Sequence, residues 1–243
     1  MTKDQQILAK VGGGSLALLL SLSLGQQASA TTLVSNLPPT TPLPTEGRDV
    51  NNNQWLSSRF TTGSVSYGYT LNSATLLFGL KSGTTSDPGN LLLRLYSNAS
   101  GVPGSAISGG NFNVPTISSA GQYTFTLTNP QQLVANTTYW LVAGASNTNP
   151  GTYLWSHTSS PAEMGFAGWS IGDTAVYSVS QGIGVNPWTF LTGGGTLQFS
   201  VNGTENTPPP PPTNIPEPGS VVALLGLGGL GLASRLKKLS TRA

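Results

Sequence analysis

Hydrophobic and polar residues alternate with a period of two through much of the middle of this chain. Tyr123, Phe125 and Leu127 are separated by Thr124 and Thr126 and flanked by Gln122 and Thr128. Ala74, Leu76, Phe78 and Leu80 repeat the pattern, as do Leu91, Leu93 and Leu95. Successive side chains of an extended strand point to opposite faces, so this spacing predicts strands with one buried face. Further strands are expected at 55–62, 138–143, 153–156, 175–179, 188–191 and 196–202, about nine in all. Between them lie turn clusters such as Ser86-Asp87-Pro88-Gly89-Asn90 and Gly101-Val102-Pro103-Gly104. No stretch of this region carries a helical stripe. The expected fold is therefore all-β: a single antiparallel β-sandwich, jelly-roll-like, over residues 47–203. Trp55, Phe60 and Tyr139 are expected core aromatics.

Both ends depart from the alternation. Lys3 and Lys10 precede an apolar run from Val11 to Leu24, and Ala28-Ser29-Ala30 follows it. A positive start, an apolar stretch and small residues at the end are the three parts of a secretory signal peptide. Residues 1–30 are thus expected to form a signal helix, cut by signal peptidase at Ala28 and Ala30, before Thr31. Residues 31–46, rich in Pro and Thr, read as an extended lead-in. Residues 204–214 read as a linker, and Pro208 to Pro212 favour a stiff polyproline rod rising about 3.1 Å per residue.

Residues 215–243 form the tail. The apolar run from Gly219 to Ala233 would reach about 22 Å as a helix, short of a comfortable membrane span. Ser220 lies within that run, and Ser234 extends the expected transmembrane helix to 219–234. Arg235, Lys237, Lys238 and Arg242 give a basic end over 235–242, which resists crossing a bilayer and leaves everything upstream outside.

Pro216-Glu217-Pro218, the Leu/Gly-rich helix and the basic cluster, in that order, resemble the PEP-CTERM sorting signal. The resemblance implies that Pro216, Glu217, Pro218, Arg235, Lys237 and Lys238 serve sorting. It implies a tail held in the inner membrane, facing the periplasm, until an exosortase-type membrane protease removes it. The setting it implies is Gram-negative or cyanobacterial export to the cell surface or extracellular matrix, often beside exopolysaccharide synthesis and biofilm. Three central stretches resemble the choice-of-anchor R domain. They are Gln54-Trp55-Leu56 leading to Arg59-Phe60-Thr61-Thr62-Gly63, then Leu93-Arg94-Leu95-Tyr96-Ser97 with Gly101-Val102-Pro103-Gly104, and finally Leu133 to Leu141. That resemblance implies a β-sandwich with no catalytic residues to carry over.

Charge changes the picture at one point. The chain carries a formal +2, yet only 7% of its residues are charged. Between residues 31 and 214 four bases (Arg48, Arg59, Lys81, Arg94) face six acids (Glu46, Asp49, Asp87, Glu163, Asp173, Glu205), a net −2. The basic balance belongs to the ends, and nucleic acid is not an expected partner. The absence of cysteine excludes disulfides, thiolate metal sites and cysteine nucleophiles.

Candidate chemistry is sparse. Gly168-Trp169-Ser170-Ile171-Gly172 fits the nucleophile-elbow pattern, but that pattern needs a following helix and a later histidine. The single histidine, His157, precedes Ser170. Gly226 to Gly231 fits a dinucleotide fingerprint but lies inside the apolar tail, where small residues suit a membrane helix. Glu163 and Asp173 share no evident element on which to act as a carboxylate pair. No catalytic residue, metal or cofactor is expected. Tyr153, Trp155, Trp169 and Trp188 have two readings: core aromatics, or a platform for stacking sugar rings. The expected function is that of a non-enzymatic envelope or matrix protein with a structural or adhesive role. The alternative is a carbohydrate-binding module associated with exopolysaccharide.

Overall fold

The structure is a computed structural model that describes residues 30–39, 47–84, 86–146, 152–159, 163–179, 188–193 and 195–209. The expected signal helix and the expected transmembrane helix at 219–234 lie outside the described residues. The chain divides after Asn206 into two compact units, and the first holds the β domain. No described residue is helical.

The strands are β1 (Thr31–Ser35), β2 (Gly47–Val50), β3 (Trp55–Thr61), β4 (Tyr69–Leu80), β5 (Leu91–Ala99), β6 (Val102–Asn113), β7 (Gly121–Leu133) and β8 (Thr138–Ala145). There follow β9 (Tyr153–Thr158), β10 (Met164–Gly165), β11 (Ser170–Ile171), β12 (Val176–Ser178), β13 (Thr189–Phe190), β14 (Thr196–Leu197) and β15 (Phe199–Glu205). All their pairings are antiparallel, and the main path runs β10-β1-β15-β4-β7-β6-β5-β8-β3-β12-β13. Hydrogen bonding passes unbroken through β6, which pairs with β5 through Arg94↔Asn111 and with β7 through Phe112↔Leu127. The described strands therefore form one curled sheet in place of the two separate sheets expected. Its halves meet across a shared core, where Phe60 of β3 and Phe199 of β15 stand with ring centroids 6.5 Å apart.

A run of aromatic rings crosses that core. Phe125 packs edge-on to Phe78, Phe78 touches Tyr153 and Trp155, Trp155 meets Phe199, and Phe60 links Phe199 to Trp169 and Tyr139. Each such fully buried ring contributes about 1.5–3 kcal/mol relative to exposure. Phe60 and Tyr139 lie in this core as expected.

Alternation holds along β7, where Phe125 and Leu127 are buried while Thr124, Thr126 and Thr128 are exposed. In β4 it holds only between irregularities. The register shifts between Leu71 and Ser73, so Tyr69 and Leu71 face inward before the bulge, and Ala74, Leu76 and Phe78 after it. One extra residue in a strand reverses which parity faces the core.

Three expectations are corrected. Residues 31–46 open with a strand integral to the sheet, since β1 pairs with β15 and buries Leu33 and Val34. The β domain thus begins at Thr31, not Gly47. Val102-Pro103-Gly104 is already strand: the turn is Ser100-Gly101, both at positive φ, with Ala99 opposite Val102. The stretch 196–202 is divided by Gln198 between β14 and β15. Its amide bonds to Ser156, and its carbonyl accepts from Leu77 N at 3.2 Å and Trp155 Nε1 at 3.0 Å, which joins three strands at one residue.

Trp55 is buried, but on the other face of the sheet. With Tyr96, Trp140, Val142 and Val176 it makes a second, smaller apolar cluster. Its ring lies flat on Gly144, where a Cβ would stand 2.0 Å from it. Arg94 lies over the Trp55 ring and Arg59 over that of Trp140, at 5.9 and 6.0 Å.

Candidate functional site

The four aromatic candidates separate in the fold. Tyr153 and Trp155 are wholly buried in β9, and Trp169 is 8% exposed. All three belong to the main core, so none presents a ring face to a ligand in this structure. Trp188 is partly exposed and packs against the second cluster. Only this one retains the surface position that a stacking role requires.

Burial gives Tyr153 another task. Its hydroxyl donates to Asp87 Oδ1 at 2.7 Å, and Asp87 also accepts from the amides of Ile117 and Gly89 at 2.7 and 2.8 Å. Burial works against the Asp87 charge, but these three donors outweigh it and hold the carboxyl below its ordinary 3.8. Burial, then the hydrogen bond and charge of Asp87, push the Tyr153 hydroxyl well above its ordinary value. This is a structural joint between two loops and β9. Its carboxylate is occupied by protein donors.

The elbow-like stretch has a similar explanation. Trp169 N bonds to Phe166 O at 3.1 Å, which closes a turn with Gly168 at φ 82°, and Ser170 then enters β11 opposite Thr61. A Cβ on Gly172 would come 2.3 Å from Arg59, so close packing explains that glycine. Among the described residues the context is turn and strand, without the helix an elbow needs. His157 lies on β9 opposite Leu197, a different strand with different partners. Asp173 approaches Arg59 at 3.7 Å, while Glu163 is exposed ahead of β10.

Sequence reasoning missed an open groove of about 500 Å³ at β13. It is lined by Arg48 from β2, Gln54, Tyr177 from β12, and Thr189-Phe190-Leu191-Thr192 on and after β13. Val176↔Phe190 and Tyr177↔Thr189 pairing brings the last two segments together, and Leu191 N bonds to Ala175 O at 3.0 Å. Phe190 is 50% exposed. Gln54 is held by donating to Asp49 O at 2.8 Å. Among the described residues, the lining holds one cation and no acid. Gln54 and Arg48 lie more than a hundred residues before Tyr177, so no local motif announces the groove.

The sorting residues Pro216, Glu217, Pro218, Arg235, Lys237 and Lys238, and the cleavage residue Ala28, lie outside the described residues; Ala30 immediately precedes β1. No curated protein matches the chain. Residues 214–238 match the PEP-CTERM protein-sorting motif, a span that takes in all six of those sorting residues. The chain thus carries the mark of an exported protein that is held transiently in the membrane and processed by an exosortase-type protease before surface release.

Proposed function

We propose that this chain is a non-enzymatic protein of the cell envelope or extracellular matrix, delivered by its tail and structural or adhesive once released. In this reading signal peptidase cuts before Thr31 and the exosortase-type protease cuts near Pro218. The sorting motif at 214–238 is the observation that carries it. The fold supports it at one point. β1, which starts at Thr31, runs antiparallel to β15 with Thr31 opposite Gly203, so the two chain ends leave the β domain side by side. The facing halves of the curled sheet act as a sandwich, and the choice-of-anchor R motifs supply its packing: Phe60 and Tyr139 in the core, Trp55 on the outer cluster.

The intact mass of the protein from envelope and medium tests this. The expected species begins at Thr31 and ends near Pro218, with any added mass identifying what it is joined to. A chain ending at Ala243, found only in the inner membrane, overturns the reading.

A second reading, saccharide binding, is favoured by the groove at β13. Phe190 offers an accessible ring there, and Thr189, Thr192 and Gln54 offer hydroxyl and amide groups. This arrangement suits a ligand with an apolar ring face edged by hydroxyls. Extracellular polysaccharide is the partner it implies.

A further inference from the structure

The four basic side chains of the β domain are not equivalent. Lys81 pairs with Asp49, Arg59 approaches Asp173 and lies over Trp140, and Arg94 lies over Trp55. Arg48 makes no ion pair among the described residues, and its buried Nε has no hydrogen-bond partner. It lines the groove of Phe190 and Tyr177, where no described lining residue is an acid. Asp49, the adjacent acid, is taken by Lys81, and alternation along β2 sends its side chain to the opposite face.

A half-buried guanidinium whose Nε lacks a partner carries a desolvation cost that a bound anion offsets. Its planar fork fits a carboxylate with two parallel hydrogen bonds. One cation amid neutral hydroxyl and amide donors balances a singly charged carboxylate better than a doubly charged phosphate. The groove is open and its volume lies in the range of ligand sites, roughly 300–1,000 Å³. We infer that it binds an acidic saccharide, with a uronate carboxylate on Arg48 and a sugar ring packed on Phe190. Thr189 and Thr192 hydrogen-bond the ring hydroxyls. This inference rests on the saccharide reading above and adds the charge of the ligand and the residue that selects it.

The test is calorimetric titration of the full-length chain in neutral detergent with a galacturonate tetramer and a neutral glucan tetramer. The uronate is expected to bind about tenfold more tightly than the glucan, the size of one charged hydrogen bond. Arg48→Gln is expected to remove that preference, and Phe190→Ala to weaken both ligands. Thr192→Glu, on the exposed turn, reads the same charge without touching β2 and is expected to lower uronate affinity at least as far as Arg48→Gln. Near-ultraviolet circular dichroism checks that each variant is folded. Equal affinity for the two tetramers, or a uronate preference that survives both charge variants, overturns the acidic assignment and leaves the saccharide reading standing. Binding of neither tetramer overturns both.

Discussion

At the scale of single residues, Asp87 shows how a polar side chain can hold distant parts of the chain together. It stands in a turn cluster, and the turn was legible in Asp-Pro-Gly. Its bond to Tyr153, 66 positions away, was not. A depressed carboxyl pKa contributes stability above its ordinary value of 3.8 that is lost as pH falls. A raised hydroxyl pKa on Tyr153 contributes stability below its ordinary value of 10.0 that is lost as pH rises. Urea unfolding should therefore give a plateau between those values. Asp87→Asn should lower the plateau by about 2 kcal/mol and flatten its acid limb. Gly144 is a second case, for nothing in its neighbourhood in sequence requires a glycine. The requirement comes from the Trp55 ring across the β3–β8 pair, and Gly144→Ala should cost about 3 kcal/mol, read as a lower unfolding midpoint in urea.

Among the elements, β7 and the part of β4 after its bulge were legible because their residues alternate, and β6 was not. Its sequence, Val-Pro-Gly-Ser-Ala-Ile-Ser-Gly-Gly-Asn-Phe-Asn, is built of turn formers, and its register with β5 shifts twice. Pairing with neighbours makes it a strand where propensity does not. The bulge in β4 is equally silent in sequence, yet it carries the change of parity. Deleting Asn72 should remove the bulge and leave Tyr69, Leu71, Ala74, Leu76 and Phe78 in one continuous alternation on the core face, so the variant should still unfold cooperatively in a thermal melt. The β5–β6 turn is the opposite case, a place where sequence and conformation disagree. Ser100 holds φ 52° in a two-residue loop that favours Asn-Gly. Ser100→Asn should raise stability by about 0.5–1 kcal/mol, measured by the same urea titration.

For the molecule as a whole, the sorting tail was legible because its message is linear: three short parts in a fixed order. The groove was not legible, because Arg48 reaches Phe190 only through the fold. The placement of β15 between β1 and β4 belongs with the groove, since it joins residues about 170 positions apart. Such pairings close late and slowly, on the millisecond-to-second scale. A chain truncated before Phe199 lacks the strand between β1 and β4, and limited proteolysis should find it unprotected throughout. This position of β15 also sets a timetable for a chain emerging amino end first. The sheet cannot close until Glu205 has crossed, and the sorting motif begins only a few residues later. Folding then falls due just as the tail reaches the membrane. On the proposed route, the closed sheet is a one-way catch, too wide to slip back, that leaves the tail in place for its protease.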